Sequence, residues 1–306
     1  MFCRLCGTNK GQRIRAKYVF GGTQEHKFYE CKKCGVIYLY PYLTEEEETR
    51  FYKMEFEKFM ATRVGDHRDW SNAQKHIATN QDQVQRRMKY LQNYIDAKIG
   101  GNLLEIGCSS GFMLEAFRQK GFKCFGVEPS GEFLEFLHKN NFNAYENLDD
   151  LISNNLELKF DVITHFFVFE HIADPYVFLT KTYSLLKDDG IIIAEIPSST
   201  DALTSLYNIH AFEKFYWSIA HHYYYNPISI AYLMDRLGFK YEIIPEQRYD
   251  LSNHITWLMD GKPGGQSRFC EFSKQTIKSY ADDLKKSWKC DTLILVIYKG
   301  KNKCQK

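Results

Sequence analysis

Apolar and polar positions follow two different regimes along this chain. From residue 101 onward, short apolar runs alternate with segments whose apolar residues recur every three or four positions. That is the pattern of strands alternating with amphipathic helices. NLLEIGC is an apolar run at residues 102–108, and SGFMLEAFRQKG is an amphipathic helix stopped by Gly121. FKCFGVEP predicts a second strand, SGEFLEFLHKNN a helix, NAYEN a short third strand and FDVITHFF a fourth. A helix from Asp174 to about Lys187 leads to a strand over IIIAEIP. Asn226 and Pro227 then open another helix, and strands follow over FKYEIIPEQRY and DTLILVIYKG. This alternation predicts an α/β fold, a Rossmann-like, parallel, doubly wound sheet of seven strands.

The earlier part of the chain is different. VIYLYPYLTEEEETRFY reads as a strand, a proline turn and a helix capped by Thr44, with glutamates 45–48 where the helix dipole favours them. Residues 53–100 are polar with a helical pattern. The expected organisation is a metal-binding domain over 1–44, a helical linker over 45–100, and the α/β domain over 101–306. Residues 247–289 interrupt its last two strands, a connection long enough to expect a functional role on the substrate side.

Composition narrows the function. Forty basic against 38 acidic side chains leave a net charge of +2, which argues against a protein held to nucleic acid by phosphate neutralisation. No stretch approaches the roughly 20 apolar residues of a membrane span, and the N-terminus lacks an apolar signal core. The expectation is a soluble cytoplasmic protein with a small-molecule partner, no nucleic acid and no membrane. The aromatic share of 16% belongs mostly in the core, and the basic end KGKNKCQK reads as a solvated tail.

Four of nine cysteines lie in the first 34 residues, as Cys3-x-x-Cys6 and Cys31-x-x-Cys34. Each pair offers two thiolates from one tight turn, and two turns close a tetrahedron around zinc. Gly7 and Gly35 follow the pairs, supplying the positive φ that such knuckles need. All four positions are filled by thiols, so the expected role is structural: a zinc-knuckle domain too small for a core of its own. Four reduced thiols or a redox pair are the alternatives.

In a doubly wound sheet the chemistry lies at the carboxyl ends of the strands. The first strand ends in Glu105-Ile-Gly107-Cys108-Ser-Ser-Gly111, and the second in Glu128. Glu105 is placed to bind an ammonium group, and Glu128 to accept ribose hydroxyls. A nicotinamide dinucleotide domain shares the glycine loop and stays open as an alternative, though a second nucleotide-binding half is missing.

LLEIGCSSGFMLEAF, GVEPS, FDVITHFFVFEHIADP, LLKDDGIIIAEIP and HHYYYNPISIAYLMDRLGF together resemble class I S-adenosylmethionine-dependent methyltransferases. The front module, with CxxCG twice and then YPYLTEEEETRFY, resembles the zinc-binding domain found on methyltransferases of sugars and surface polysaccharides. The resemblance implies that Glu105 lies near the methionine amino group and that the backbone from Gly107 through Cys108 to Gly111 passes under the cofactor. It also implies that Glu128 binds the ribose, with Pro129 beside the adenine, Asn147 facing the adenine amino group and Phe166 flanking the sulfonium. Phe167 stands where ubiquinone-pathway O-methyltransferases have an acidic metal ligand, so Glu170 and His171 are read as positioning groups.

Methylation of a hydroxyl requires an aligned acceptor and a base. His221 matches the histidine of sugar C-methyltransferases, although Ala220 replaces the glutamate that usually precedes it there; His254, in the interruption, is the second candidate. Tyr223, Arg248, Tyr249, Asn253, Trp257 and Lys262 suit a polyhydroxylated, optionally phosphorylated carbohydrate. The expected reaction is O-methylation of a sugar, sugar phosphate or nucleotide-sugar precursor of a surface polysaccharide. The alternatives are C-methylation of a nucleotide-linked keto-sugar and a zinc-ribbon-targeted methyltransferase acting on RNA or protein.

Overall fold

The computed structural model describes residues 1–51, 59, 62, 63 and 72–300. Part of the expected linker (52–58, 60, 61 and 64–71) and the basic tail at 301–306 lie outside the described residues. Strands β1 (Gln12–Ala16), β2 (Lys27–Cys31) and β3 (Ile37–Tyr40) precede helix α1 (Glu45–Arg50), α2 (Ala73–Thr79) and α3 (Gln81–Ile95). The alternation then runs β4 (Asn102–Ile106), α4 (Phe112–Gln119), β5 (Lys123–Val127), α5 (Gly131–Lys139), β6 (Asn143–Tyr145), α6 (Leu148–Asn154), β7 (Phe160–Phe166). It continues through α7 (Pro175–Ser184), β8 (Leu186–Pro197), α8 (Ala202–Ser205), α9 (His210–Tyr216), β9 (Tyr223–Tyr224) and α10 (Pro227–Leu237). Strand β10 (Lys240–Glu246), α11 (Leu251–Asp260), α12 (Lys274–Lys286) and β11 (Thr292–Tyr298) close it.

The seven-stranded sheet has the order β10-β11-β8-β7-β4-β5-β6. Pairing is parallel across β7, β4, β5 and β6. It is not parallel throughout: Ser198 N donates to Asp291 O and Lys299 N to Gly190 O, a register that only antiparallel β8 and β11 can give. The sheet is therefore mixed, and the long interruption is the connection between adjacent strands β10 and β11. Strand β8 also begins five residues earlier than the apolar run suggests. Lys187, expected at a helix end, instead pairs its Nζ with Asp161 Oδ2 on the neighbouring strand at 2.7 Å.

The described residues group into two compact units: those of 1–42, 167–178 and 194–296, and those within 43–166, 179–193 and 297–300. The first contains the antiparallel sheet β1-β2-β3-β9, whose fourth strand comes from Tyr223–Tyr224 rather than from the first 44 residues. Its interior is aromatic. The ring of Phe28 lies 5.5 Å from Trp217 and 5.1 Å from Tyr224, and Tyr224 lies 4.8 Å from Tyr216. Rings of this kind at such spacing add to the burial of apolar area, and they account for much of the aromatic content. Thr44 caps α1 in a reciprocal capping box with Glu47, and Asn226 caps α10 ahead of Pro227, as their sequences predict. Among the described residues no helix is long and apolar enough to cross a membrane.

Candidate functional site

Within the second unit, the turn between β4 and α4 is shaped by three left-handed residues, Gly107 (φ 69°), Ser109 (φ 46°) and Gly111 (φ 77°). At Gly111 the left-handed backbone favours glycine, and a Cβ there would also stand 2.6 Å from Leu137 Cδ2, displacing that side chain. Ser109 tolerates its strained backbone because Glu128 Oε2 accepts its N–H at 2.6 Å, while Oε1 accepts from Ser130 N at 2.8 Å. One carboxylate thus fastens the turns after β4 and β5. Burial holds the Glu128 carboxyl up at about 7, against the pull of the Ser130 and Ser109 amides. The Cys108 side chain packs away under Gly126, where a Cβ would stand 2.7 Å from its Sγ, leaving only Cys108 backbone on the turn.

Glu105, at the end of β4, is buried, and its Oε2 has no hydrogen-bond partner among the described residues. Burial lifts its carboxyl to about 8; the charge of Arg87 acts the other way. A buried carboxylate oxygen without a donor is costly, and an ammonium ligand would satisfy it. The helices preceding β4 supply residues that sequence reasoning left in a linker. His76 on α2 reaches Ser110 Oγ through Nδ1 at 2.8 Å, and the Arg87 guanidinium on α3 lies 4.2 Å from the Phe166 ring centroid. Their one sequence signal was a cation and an imidazole on otherwise polar helices. Pro129 and Asn147 are exposed. Asn147 caps α6, accepting from Asp150 N and donating Nδ2 to Asp150 Oδ2.

Within the first unit, the four sulfurs of Cys3, Cys6, Cys31 and Cys34 lie within 4.8 Å of one another. Cys3–Cys34 and Cys6–Cys31 are each 3.6 Å apart. Four thiolates about 2.3 Å from one zinc ion would stand about 3.8 Å apart, so the cluster fits that ion. Gly7 and Gly35 take φ values of 70° and 73°, and their amides donate to Cys3 O and Cys31 O.

A second cluster, Glu170, His171 and His221, also lies within 4.8 Å ligand atom to ligand atom. The sequence offered Glu170 and His171 without a third group; the segment before β9 brings His221 to them. Glu170 is buried, and His171 Nδ1 donates to Ala220 O at 2.7 Å, which turns Nε2 towards the Glu170 carboxylate at 4.0 Å. The rings of His171 and His221 meet edge to face at 4.7 Å.

The remaining expected residues have mostly structural surroundings. Tyr223 is buried and donates to Ala173 O. Trp257 packs at 5.0 Å against Phe212, and Asn253 donates Nδ2 to Gly264 O at 2.7 Å. His254 is buried with Nδ1 on Tyr280 OH at 2.6 Å, and burial lowers it to about 4. Arg248 lies 4.2 Å over the Phe167 ring and 3.6 Å from Asp291. Tyr249 and Lys262 are exposed.

The sequence matches the family described as a methyltransferase domain over residues 73–243, more than half of the chain. The chain belongs to the methyltransferase-domain family. The match begins at α2 and includes the two helices carrying His76 and Arg87. The chain is 30% identical over 119 residues to a ubiquinone biosynthesis O-methyltransferase of Actinobacillus pleuropneumoniae serotype 5b, covering 35% of this chain and 50% of that one. It is also 30% identical over 119 residues to the protein of that name in Haemophilus ducreyi, covering 35% and 49%. The chain spans about half the length of the curated relatives it matches. Among solved structures, a chain of the Haloferax volcanii complex containing the Trm112 methyltransferase activator shares the methyltransferase fold. Its TM-score is 0.51 at 16% identity, covering 76% of this chain and 96% of that one.

Proposed function

We propose that the protein is an S-adenosylmethionine-dependent O-methyltransferase, with a sugar, sugar phosphate or nucleotide sugar of surface-polysaccharide synthesis as its acceptor and zinc in the four-cysteine cluster. Family membership supports the methyl transfer, and the names of the relatives support oxygen as the acceptor atom. The single observation that carries the cofactor is the unpartnered, buried Glu105 Oε2 beside a glycine turn fastened by Glu128. The carbohydrate acceptor rests on the likeness of the front module to that of sugar-modifying enzymes.

When bound, S-adenosylmethionine supplies an electrophilic methyl group on a sulfonium centre. Glu105 would hold the cofactor ammonium and Glu128 the ribose, and the turn from Gly107 to Gly111 would present its backbone to the methionine end; His221 would be the base that takes the acceptor's hydroxyl proton. The cluster of Glu170, His171 and His221 also supports a second reading, a divalent ion polarising the acceptor hydroxyl. Magnesium or manganese titrated into enzyme of verified zinc content separates the two, since only the second reading needs the added ion.

The test is calorimetric titration with S-adenosylmethionine and S-adenosylhomocysteine. Wild type should bind with micromolar affinity, about −8 kcal/mol. Glu128→Gln should weaken both ligands about 10- to 100-fold, because one oxygen acceptor replaces a carboxylate shared by two amides and the ribose. No binding by the folded wild-type protein removes the reading and reopens the nicotinamide alternative.

Proton linkage gives a second check. A carboxyl held up at about 8 keeps its proton below that pH, and the proton must leave before an ammonium can dock. Affinity for S-adenosylmethionine should therefore fall about tenfold per unit as pH drops below 7, and level off above 8. 5′-Methylthioadenosine, which has no ammonium group, should depend on pH only through Glu128, held up at about 7, and so should lose affinity less steeply and at lower pH than S-adenosylmethionine; equal slopes for both ligands remove Glu105 from the role.

A further inference from the structure

We propose that Arg248, in the loop that follows β10, holds an oxyanion of the acceptor, a phosphate or a carboxylate, so that the molecule methylated is an anion. The inference rests on the methyl-transfer reading and names the chemical class of its acceptor.

An arginine carries five N–H donors and a fixed charge, and taking them out of water is costly unless acceptors meet them. The Arg248 side chain is only 19% exposed, yet its Nε is buried without a hydrogen-bond partner among the described residues. Asp291 Oδ1 stands 3.6 Å from that Nε, too far for a hydrogen bond. Both Asp291 oxygens are already engaged. They accept from Gln247 Nε2 at 2.8 Å, from Thr292 Oγ1 at 2.6 Å, and from the backbone N–H groups of Arg248 and Tyr249, each at 2.9 Å. Asp291 therefore balances the guanidinium charge in part and leaves the Nε–H unused.

The loop that carries Arg248 is fixed. Gln247 Oε1 accepts from Asp291 N at 3.2 Å while its Nε2 donates back to that carboxylate, and Gln266 Nε2 donates to Arg248 O at 3.1 Å. The guanidinium lies 4.2 Å from the Phe167 ring centroid and 5.0 Å from that of Tyr249. A ring against a guanidinium engages its face. The N–H groups lie in the plane and stay available to a partner that accepts two parallel bonds, the pattern of a carboxylate or a phosphate. Phe167 brings this group beside the chemistry. It holds a left-handed φ of 57°, its N–H donates to Glu195 O at 2.8 Å, and it stands three residues before Glu170 of the His221 cluster. Burial works against the Arg248 charge, but Tyr249, Asp291, Glu195 and Glu170 outweigh it, so the side chain stays a cation. A cation held charged on a fixed loop, with a buried donor unused, is matched by an oxyanion of the acceptor.

The experiment uses three hexoses that differ in charge, glucose 1-phosphate, glucuronate and glucose, each titrated into the protein by calorimetry. Wild type should bind at least one of the two anions about tenfold or more tighter than glucose. Which anion is preferred tells whether the site takes a phosphate or a carboxylate. Arg248→Gln should lose that preference and bind the three alike, and Arg248→Lys, a charge without the fork, should keep part of it. If the glutamine variant does not fold, the lysine variant carries the comparison. Wild type that binds the three equally, or binds none, overturns the proposal, and so does a glutamine variant that keeps the preference. S-adenosylhomocysteine titrated into the same samples separates the two levels of inference. Cofactor binding without an anion preference ends the role of Arg248 alone; a folded protein that binds no cofactor ends the methyl-transfer reading, whatever the hexoses do.

Discussion

Replacing His221 with alanine should lower turnover by about two to three orders of magnitude while cofactor affinity stays within about a factor of two. Three histidines crowd this segment, and the hydrogen bonds distinguish them. His222 Nδ1 meets Arg4 Nη1 at 2.8 Å, and the Arg4 guanidinium stacks 4.0 Å from the Tyr42 ring, so His222 belongs to the framework of the front sheet. His171 is oriented by Ala220 O and faces Glu170. His221 meets both His171 and Tyr224 through its ring, at 4.7 and 4.9 Å, and joins Glu170 and His171 within ligand distance. A base in that position needs a carboxylate nearby to stabilise the imidazolium it becomes, and Glu170 supplies one. His222→Ala is the matched control: it should lower the unfolding midpoint and leave turnover within about threefold. The measurement is steady-state methyl transfer with calorimetric cofactor binding on each variant. Turnover within tenfold of wild type for His221→Ala would remove it as the base.

Cys31→Ser should cost the front sheet its fold, an effect of at least about 5 kcal/mol if zinc occupies the cluster. Cys31 closes strand β2, is fully buried, stands 3.6 Å from Cys6 Sγ and accepts a hydrogen bond from Gln12 Nε2. A serine there removes one of four clustered sulfurs, and with it one of the ligands a zinc ion would need. Mass spectrometry of the native protein should find one zinc per chain, and the variant should be zinc-poor and unfold at lower urea. A wild-type protein purified without chelator that carries no zinc, or a variant of equal stability, would show that the thiols hold the module together without an ion.

How much of this was legible in the sequence depended on distance along the chain. The glycine turn, Glu105 and Glu128 lie within about 25 residues of one another and are ordered by a single strand–helix–strand unit, so periodicity and spacing reached them directly. The four-cysteine cluster was legible because the spacing of its pairs is itself the geometry. What escaped was tertiary. Nothing near Phe167 announces that His221, fifty residues on, completes a cluster with Glu170 and His171. Arg87 and His76 read as ordinary polar helix residues, because burial of a charge is decided by what covers it. The interruption before β11 shows how burial escapes a sequence reading. Its Asn253, His254 and Trp257 have the chemistry of a binding surface, but the amphipathic helix α11 turns them inward to Gly264, Tyr280 and Phe212. Leu258, apolar, is left 57% exposed.

The fourth strand of the front sheet has a consequence for how the chain must be assembled. Tyr38 and Tyr223 are register partners, yet a ribosome makes strands β4 to β8 between them. The four cysteines are complete by residue 34 and can gather around an ion early, whereas the open edge of β3 must wait, unpaired, until Tyr223 and Tyr224 have emerged. Early capture of metal would hold that edge in shape through the interval, when exposed strand edges are most prone to pair with the wrong chain. By the same logic the front module is not a detachable cassette: moved onto another enzyme without residues 223–224, it would carry its four cysteines and lack its own last strand.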